Sequence, residues 1–295
     1  MNAIAHYLPP PAQAVPAGRA ERIEHIEQVE QIESAPRRTR LRLPLGLWLP
    51  LVVLAAWELI SRLGLVAPHL LPPPSALAQT AYGLARDGSL FSHTIASSGR
   101  VTAGFALGAS LGLAIGALVA LNRAVESILD PSLQALRAVP SLAWVPLLLL
   151  WLGIDLAPKL TLIAIGTFFP MYLATVASLK NVDRKLVEVG IQLGLSPVTL
   201  LRKIYLPASL PGLMTGLRSS LGLGWMFLVA AELIAATSGL GYLLTDGRET
   251  GRADLVLVAI IALALLRKLS DGLLVAIERR VLRWRDVADL QGGQP

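Results

Sequence analysis

The sequence predicts an all-α polytopic membrane protein with six transmembrane helices, and three observations carry that prediction. Of 295 residues, 54% are apolar before the 25 glycines are counted and only 16% are charged, against about 25% charged in ordinary globular chains. Apolar runs of about 20 residues recur along the chain, long enough to cross ~30 Å of hydrocarbon at about 1.5 Å per helical residue. Basic residues gather at the ends of these runs. Anionic headgroups and membrane topology therefore account for the net charge of +6 without nucleic acid. The absence of cysteine removes disulfides, thiol nucleophiles and cysteine-type zinc sites.

Taken in order, residues 1–18 are rich in proline and alanine and bury too little apolar surface to offset chain entropy, so they read as disordered. They lack a basic segment followed by an apolar core, so no secretory signal is expected and the chain is read as staying whole. The next stretch, "RAERIEHIEQVEQIES", spaces Ile23, Ile26, Val29 and Ile32 three apart. That period drifts around a 3.6-residue turn, so a weakly helical tail and a helix that binds a partner or a membrane surface both stay open. His25 has no second histidine at metal-ligand spacing. Residues 1–45 thus form an extension, 46–280 the membrane domain, and 281–295 a tail.

Spans are expected at 46–63, 94–120, 130–152, 159–180, 210–236 and 253–275. Pro140 and Pro146 should kink the third, because each removes a backbone donor. Arg267, Lys268 and Asp271 interrupt the sixth. In the connection 64–93, Pro72–Pro74 should stop one element and Ser75 should cap a short interfacial helix. With an internal amino terminus, the basic clusters at 37–42, 180–185, 202–203 and 279–285, with Arg123, fall on one side. They outnumber by more than two to one the opposite set of Arg62, Arg86, Arg100, Lys159, Arg248 and Arg252. Both termini are therefore expected in the cytoplasm.

The most informative stretch joins the fourth and fifth spans: "DRKLVEVGIQLGLSPVTLLRKIYLPASLPG", residues 183–212. It is too long and too apolar for a turn. Leu186, Val187, Ile191 and Leu195 fall near helical spacing, and Gly194 is placed to end that helix in a left-handed conformation. Ser196 followed by Pro197 is an N-cap with proline at the first helical position. A second short helix should run through Leu200, Leu201 and Ile204, limited by Pro207 and Pro211. Two short helices joined by a sharp bend make a half-apolar knob suited to another protein's groove.

This stretch resembles the signature loop, the EAA motif, of permease subunits of bacterial ATP-binding-cassette importers. That motif reads E-A-A, three residues, G, nine residues, I, one residue, L-P. Glu188, Gly194, Ile204, Leu206 and Pro207 match its spacing, while Val189 and Gly190 replace the two alanines. Glycine at 190 is expected to weaken the first helix by about 1 kcal/mol. The resemblance runs from about Trp48 to Trp284 and includes "VAAELIAATSGLGYLL" and "RKLSDGLLVAIERRVLRW". It is similar to the branch that imports sulfonates, taurine, nitrate and bicarbonate, with the aliphatic sulfonate permeases nearest. What the resemblance implies is a type I importer (MetI-like) permease fold in the bacterial inner membrane. It also implies a permease homodimer, two cytoplasmic ATPase subunits that bind ATP and Mg, an external solute-binding protein, and surrounding lipid. Residues 183–207, with Glu188, Val189, Gly190, Gly194, Ser196, Pro197, Ile204, Leu206 and Pro207, would couple the path to the ATPase. The chain has no G-x-x-x-x-G-K-[ST] phosphate loop, so hydrolysis must come from a partner. No cofactor of its own is expected.

Glu232 lies deep in the fifth span, where an ionised side chain costs about 2.5–3.5 kcal/mol unless it faces protein or water. Translocation path or gate, dimer seam and structural hydrogen bonding all stay open for it. Arg100, Arg137 and Arg218 can attract an anion or snorkel to the interface. Gly104, Gly108, Gly112 and Gly116 recur every four residues, as close helix packing requires. No H-E-x-x-H or G-x-S-x-G is present; His6, His25, His69 and His93 lack metal-ligand spacing, and an enzyme is not expected. An ATP-independent secondary transporter or channel subunit is the alternative, though no internal repeat supports it.

Overall fold

The computed structural model describes residues 48–67 and 69–284. The extension 1–45 with its isoleucine stripe, the cluster 37–42 and the tail beyond 284 lie outside the described residues. Contacts group the chain into two units, Met1–Val53 and Leu54–Pro295; of the first, only the opening of helix α1 is described.

Helix α1 (Trp48–Arg62) is followed by α2 (Pro74–Arg86). Ser75 does not cap α2 as expected, because Pro74 already occupies the first turn and Pro73 holds the N-cap position. Instead the Ser75 amide and hydroxyl both donate to the Glu58 carboxylate, at 3.0 and 2.8 Å. A carboxylate from the preceding helix thus satisfies an orphan donor and complements the helix dipole.

Helix α3 (Ser89–Leu121) starts five residues earlier than its expected span, directly after Gly88 at φ +79°. The Asn122 side chain caps α4 (Arg123–Ala138), accepting from the amides of Ala124 and Val125. A 3-10 turn, Ser141–Trp144, leads into α5 (Val145–Leu152). The two arms of the expected third span meet at 86°. Pro140 makes that break alone, since Pro146 falls in the first turn of α5, where a missing donor costs nothing.

Helix α6 (Leu156–Lys180) and α7 (Arg184–Gln192) follow. Then α8 (Pro197–Leu200), a π-helical turn (Leu201–Tyr205) and α9 (Leu206–Ala235) run on as one 38-residue helix, Pro197–Ile234. Pro207 and Pro211 therefore do not limit the short helix; it continues into the fifth span. The π turn supplies the reason. The Leu206 amide bonds back to the Leu201 carbonyl, and this widened turn leaves room for the ring of Pro207. Two further helices, α10 (Leu240–Glu249) and α11 (Ala253–Val281), complete the described chain. Helix α10 falls between the expected spans 210–236 and 253–275, where the sequence predicts no element.

Among the described residues, three helices are long and apolar enough to cross a membrane: Ser89–Leu121, Leu156–Lys180 and Pro197–Ile234. The bent pair Arg123–Ala138 and Ser141–Leu152 makes a fourth if it counts as one span. The other two expected spans are α1, of which Trp48–Arg62 is described, and α11, whose 29 residues carry charge in their middle. Helix length and composition alone thus do not establish six.

Helix α6 lies between α3 and α9, and glycines set both distances. A Cβ at Gly108 would sit 2.1 Å from Thr167 Oγ1 and 2.2 Å from the Ala164 carbonyl oxygen. Gly104 would meet Ile163, Gly112 the Phe168 carbonyl and Gly116 Thr175. The four-residue glycine stripe is therefore the face on which α3 touches α6 backbone to backbone. On the other side, Gly166 gives its place to the Phe227 ring, and Gly212 faces Ser178. Leu162, Ile163, Leu228, Leu240 and Ala259 form the centre of the buried core.

Candidate functional site

The first candidate site is the knob that α7 makes with α8 and the π turn. Asp183 caps α7 through the Lys185 amide, at 2.9 Å. Gly194 ends it at φ +70°, where a Cβ would meet open space, and the Leu195 amide closes the turn on the Gly190 carbonyl. Ser196 caps α8 by accepting from the Thr199 amide, and Pro197 takes the first helical position. Gly190 is the buried contact of the knob: a Cβ there would lie 2.6 Å from both Ile204 Cδ1 and Leu200 Cδ1. The glycine expected only to weaken α7 thus allows α7 to seat on the next helix. Glu188, Val189, Ser196, Pro197 and Leu206 are exposed, while Ile204 and Pro207 are half-buried. Leu186, Ile191, Leu193 and Val198 are exposed as well, Leu193 at 73%. The knob therefore presents apolar side chains that the described residues of its own chain leave exposed.

The second candidate is a buried charge centre at the far end of α9. The Glu232 carboxylate is 0% exposed and accepts from Arg100 Nη1 at 2.6 Å, Ser97 Oγ at 2.8 Å and the Gly241 amide at 2.8 Å. The Ser97 hydroxyl in turn accepts from the Leu240 amide, at 2.8 Å. Arg100 also donates to the Ser238 carbonyl and hydroxyl, at 2.6 and 2.8 Å. The Gly239 amide donates to His93 Nδ1 at 3.0 Å. Two glycines permit the approach, since a Cβ at Gly239 would sit 2.3 Å from Glu232 Oε1 and one at Gly241 2.5 Å from Glu232 Cβ. The arrangement offsets the cost of a buried carboxylate with a guanidinium and several donors. It also ties α3 to the α9–α10 turn. Lys159, which the sequence places at the start of the fourth span among the opposite set of basic residues, is buried at the start of α6 and donates to the Ile154 carbonyl, at 3.3 Å.

The three arginines do not converge. Arg100 belongs to the Glu232 centre. Arg218 lies 14 residues before Glu232 on α9, about 21 Å along the helix, and pairs with Asp271 (3.0 Å) and Glu278 (3.4 Å) of α11. Arg137 is exposed in the last turn of α4. Among the described residues no group of three or more His, Asp or Glu side chains is placed to hold a metal ion.

Residues 108–283 match the family described as binding-protein-dependent transport system inner membrane component. The chain belongs to that family. It is 43% identical over 251 residues to the protein named "Putative aliphatic sulfonates transport permease protein SsuC" of Bacillus subtilis (strain 168), covering 85% of this chain and 91% of that one. To the taurine transport system permease protein TauC of Escherichia coli (strain K12) it is 35% identical, over 84% of this chain and 94% of the relative. Among solved structures, a chain from an inward-facing MetNI methionine ABC transporter superposes with a TM-score of 0.57 at 20% identity, covering 65% of this chain and 96% of that one. The fold is thus a MetI-like importer permease fold. Members of this family are transport permeases rather than enzymes, and such permeases work with an ATPase and a solute-binding protein in general.

Sequence reasoning missed His93, Ser97 and the α9–α10 turn as parts of one centre. A signal was present. His93, Ser97 and Arg100 fall at i, i+4 and i+7 on α3, a polar stripe in line with the glycine stripe that follows it.

Proposed function

We propose that this chain is the membrane subunit of an ATP-driven importer, acting as a homodimer in the cytoplasmic membrane with both termini inside. Its substrate is a small anion, an aliphatic sulfonate first and taurine next, both of which appear in the names of its relatives. Nitrate and bicarbonate remain the alternatives. The observation that carries the reading is the apolar knob at 183–207, left exposed by the described residues, whose glycine bend, cap and spacing agree with a coupling loop. Two cytoplasmic ATPase subunits, which bind ATP and Mg, would grip one knob each. Because α8, the π turn and α9 are one helix, a push on the knob acts directly on α9. From there it reaches the Glu232–Arg100 centre, which we assign to a latch on the α9–α10 turn rather than to substrate contact, since its donors are already used. Alternating access then follows ATP binding and release, with an external binding protein delivering the solute.

The test uses the exposed residues of the knob, which can change without disturbing the fold. Leu193→Asp and Val198→Asp should leave the permease folded and inserted, yet reduce ATPase association and sulfonate uptake about tenfold or more. Unchanged uptake with unchanged ATPase stimulation in both variants contradicts the coupling role.

A further inference from the structure

A second polar site lies away from the knob and the Glu232 centre. Between α9 and α11 the structure holds a cavity of about 420 Å³, lined on one side by Arg218, Gly222 and Trp225 and on the other by Arg267, Lys268 and Asp271. Its volume suits a small ligand. The charges are unequal in their use. Arg218 is taken by Asp271 and Glu278, whereas Arg267 and Lys268, though near the Asp271 carboxylate, make no side-chain hydrogen bond or ion pair among the described residues. Arg267 Nη2 lies over Gly222, where a Cβ would be 3.5 Å away. Both cations sit between the apolar runs 255–266 and 272–277 of α11, at the wall of the cavity.

We propose that this cavity binds a singly charged oxyanion carried on a short apolar tail. The guanidinium of Arg267 and the ammonium of Lys268 supply a fork and a point charge for the oxygens. Leu221, Ala264 and Trp225, whose indole N–H donates to Ser270 at 2.9 Å, supply the apolar wall. Gly222 keeps the volume open. Two sources share that chemistry: the sulfonate head of a transported solute and the phosphodiester head of an anionic lipid. The sulfonate source rests on the importer reading above.

The full-length chain in phosphatidylcholine nanodiscs is titrated with 1-pentanesulfonate and, separately, with short-chain phosphatidylglycerol. Arg267→Gln/Lys268→Gln removes the free charges. Gly222→Leu fills the cavity and leaves the charges. Both variants are expected to weaken saturable binding of at least one probe by tenfold or more, the affected probe naming the source. Equal affinities in wild type and either variant, or no saturable binding of either probe, overturn the proposal. Uptake by the assembled transporter separates this from the importer reading. If wild type imports pentanesulfonate and Arg267→Gln/Lys268→Gln does so at the same rate, the sulfonate source is excluded and importing stands. If wild type imports no sulfonate, the importer's substrate assignment fails, while the phosphatidylglycerol titration still decides the site.

Discussion

At Glu232 the cost of a buried charge and the strength of its partners can be measured separately. Glu232→Ala leaves Arg100 in a low-dielectric site without its carboxylate and strips acceptors from Ser97 and the Gly241 amide. Removing one partner of a buried pair costs about 3–5 kcal/mol, so the detergent-solubilised protein should melt well below wild type. Glu232→Gln keeps the shape and part of the hydrogen bonding, and should lose less. Equal melting of Glu232→Ala and wild type contradicts the assigned latch. The isolated carboxylate was legible in the sequence, because an acidic residue in an apolar run stands out. Its pairing was not legible: Arg100 is 132 positions away, and three-residue stripes such as His93, Ser97 and Arg100 are common on helices that bind nothing.

Between elements, the closest contact is α3 on α6, and here the sequence was a good guide. A repeat of glycine every fourth residue has one ready physical meaning, a groove for a neighbouring backbone. Gly108→Leu forces side-chain atoms into Thr167 and the Ala164 carbonyl, and overpacking of this kind costs about 1–3 kcal/mol. Gly99 lies on the same helix with nothing within 4 Å of a Cβ, so Gly99→Ala should hold stability or raise it by about 0.5–1 kcal/mol. Melting curves of the two variants check the contrast; similar losses in both would deny that the stripe sets the helix distance. Other elements were harder to see. Pro207 and Pro211 looked like stops because the π turn that accommodates Pro207 leaves no mark in composition. Helix α10 was hidden between Gly239 and Gly251, in a run too short for periodicity to declare itself. Gly190 looked like a weak point of α7, and its contact with Leu200 and Ile204 shows it to be a seat.

For the whole molecule, the class was legible from composition and run length, since a chain this apolar has few ways to satisfy its backbone other than membrane helices. The number of spans was less so, because α11 carries Arg267, Lys268 and Asp271 amid apolar residues. The central claim is that the knob at 183–207 is gripped from the cytoplasm by a separate ATPase. The chain has no cysteine, so a single cysteine at Leu193 reports on one place only. In inverted and right-side-out vesicles carrying the assembled transporter, Leu193→Cys should react with a membrane-impermeant maleimide from the cytoplasmic face alone. A short bifunctional reagent should join it to the ATPase subunit. Labelling from the external face, or free reactivity on the cytoplasmic face with no cross-link when the ATPase is bound, would contradict the account.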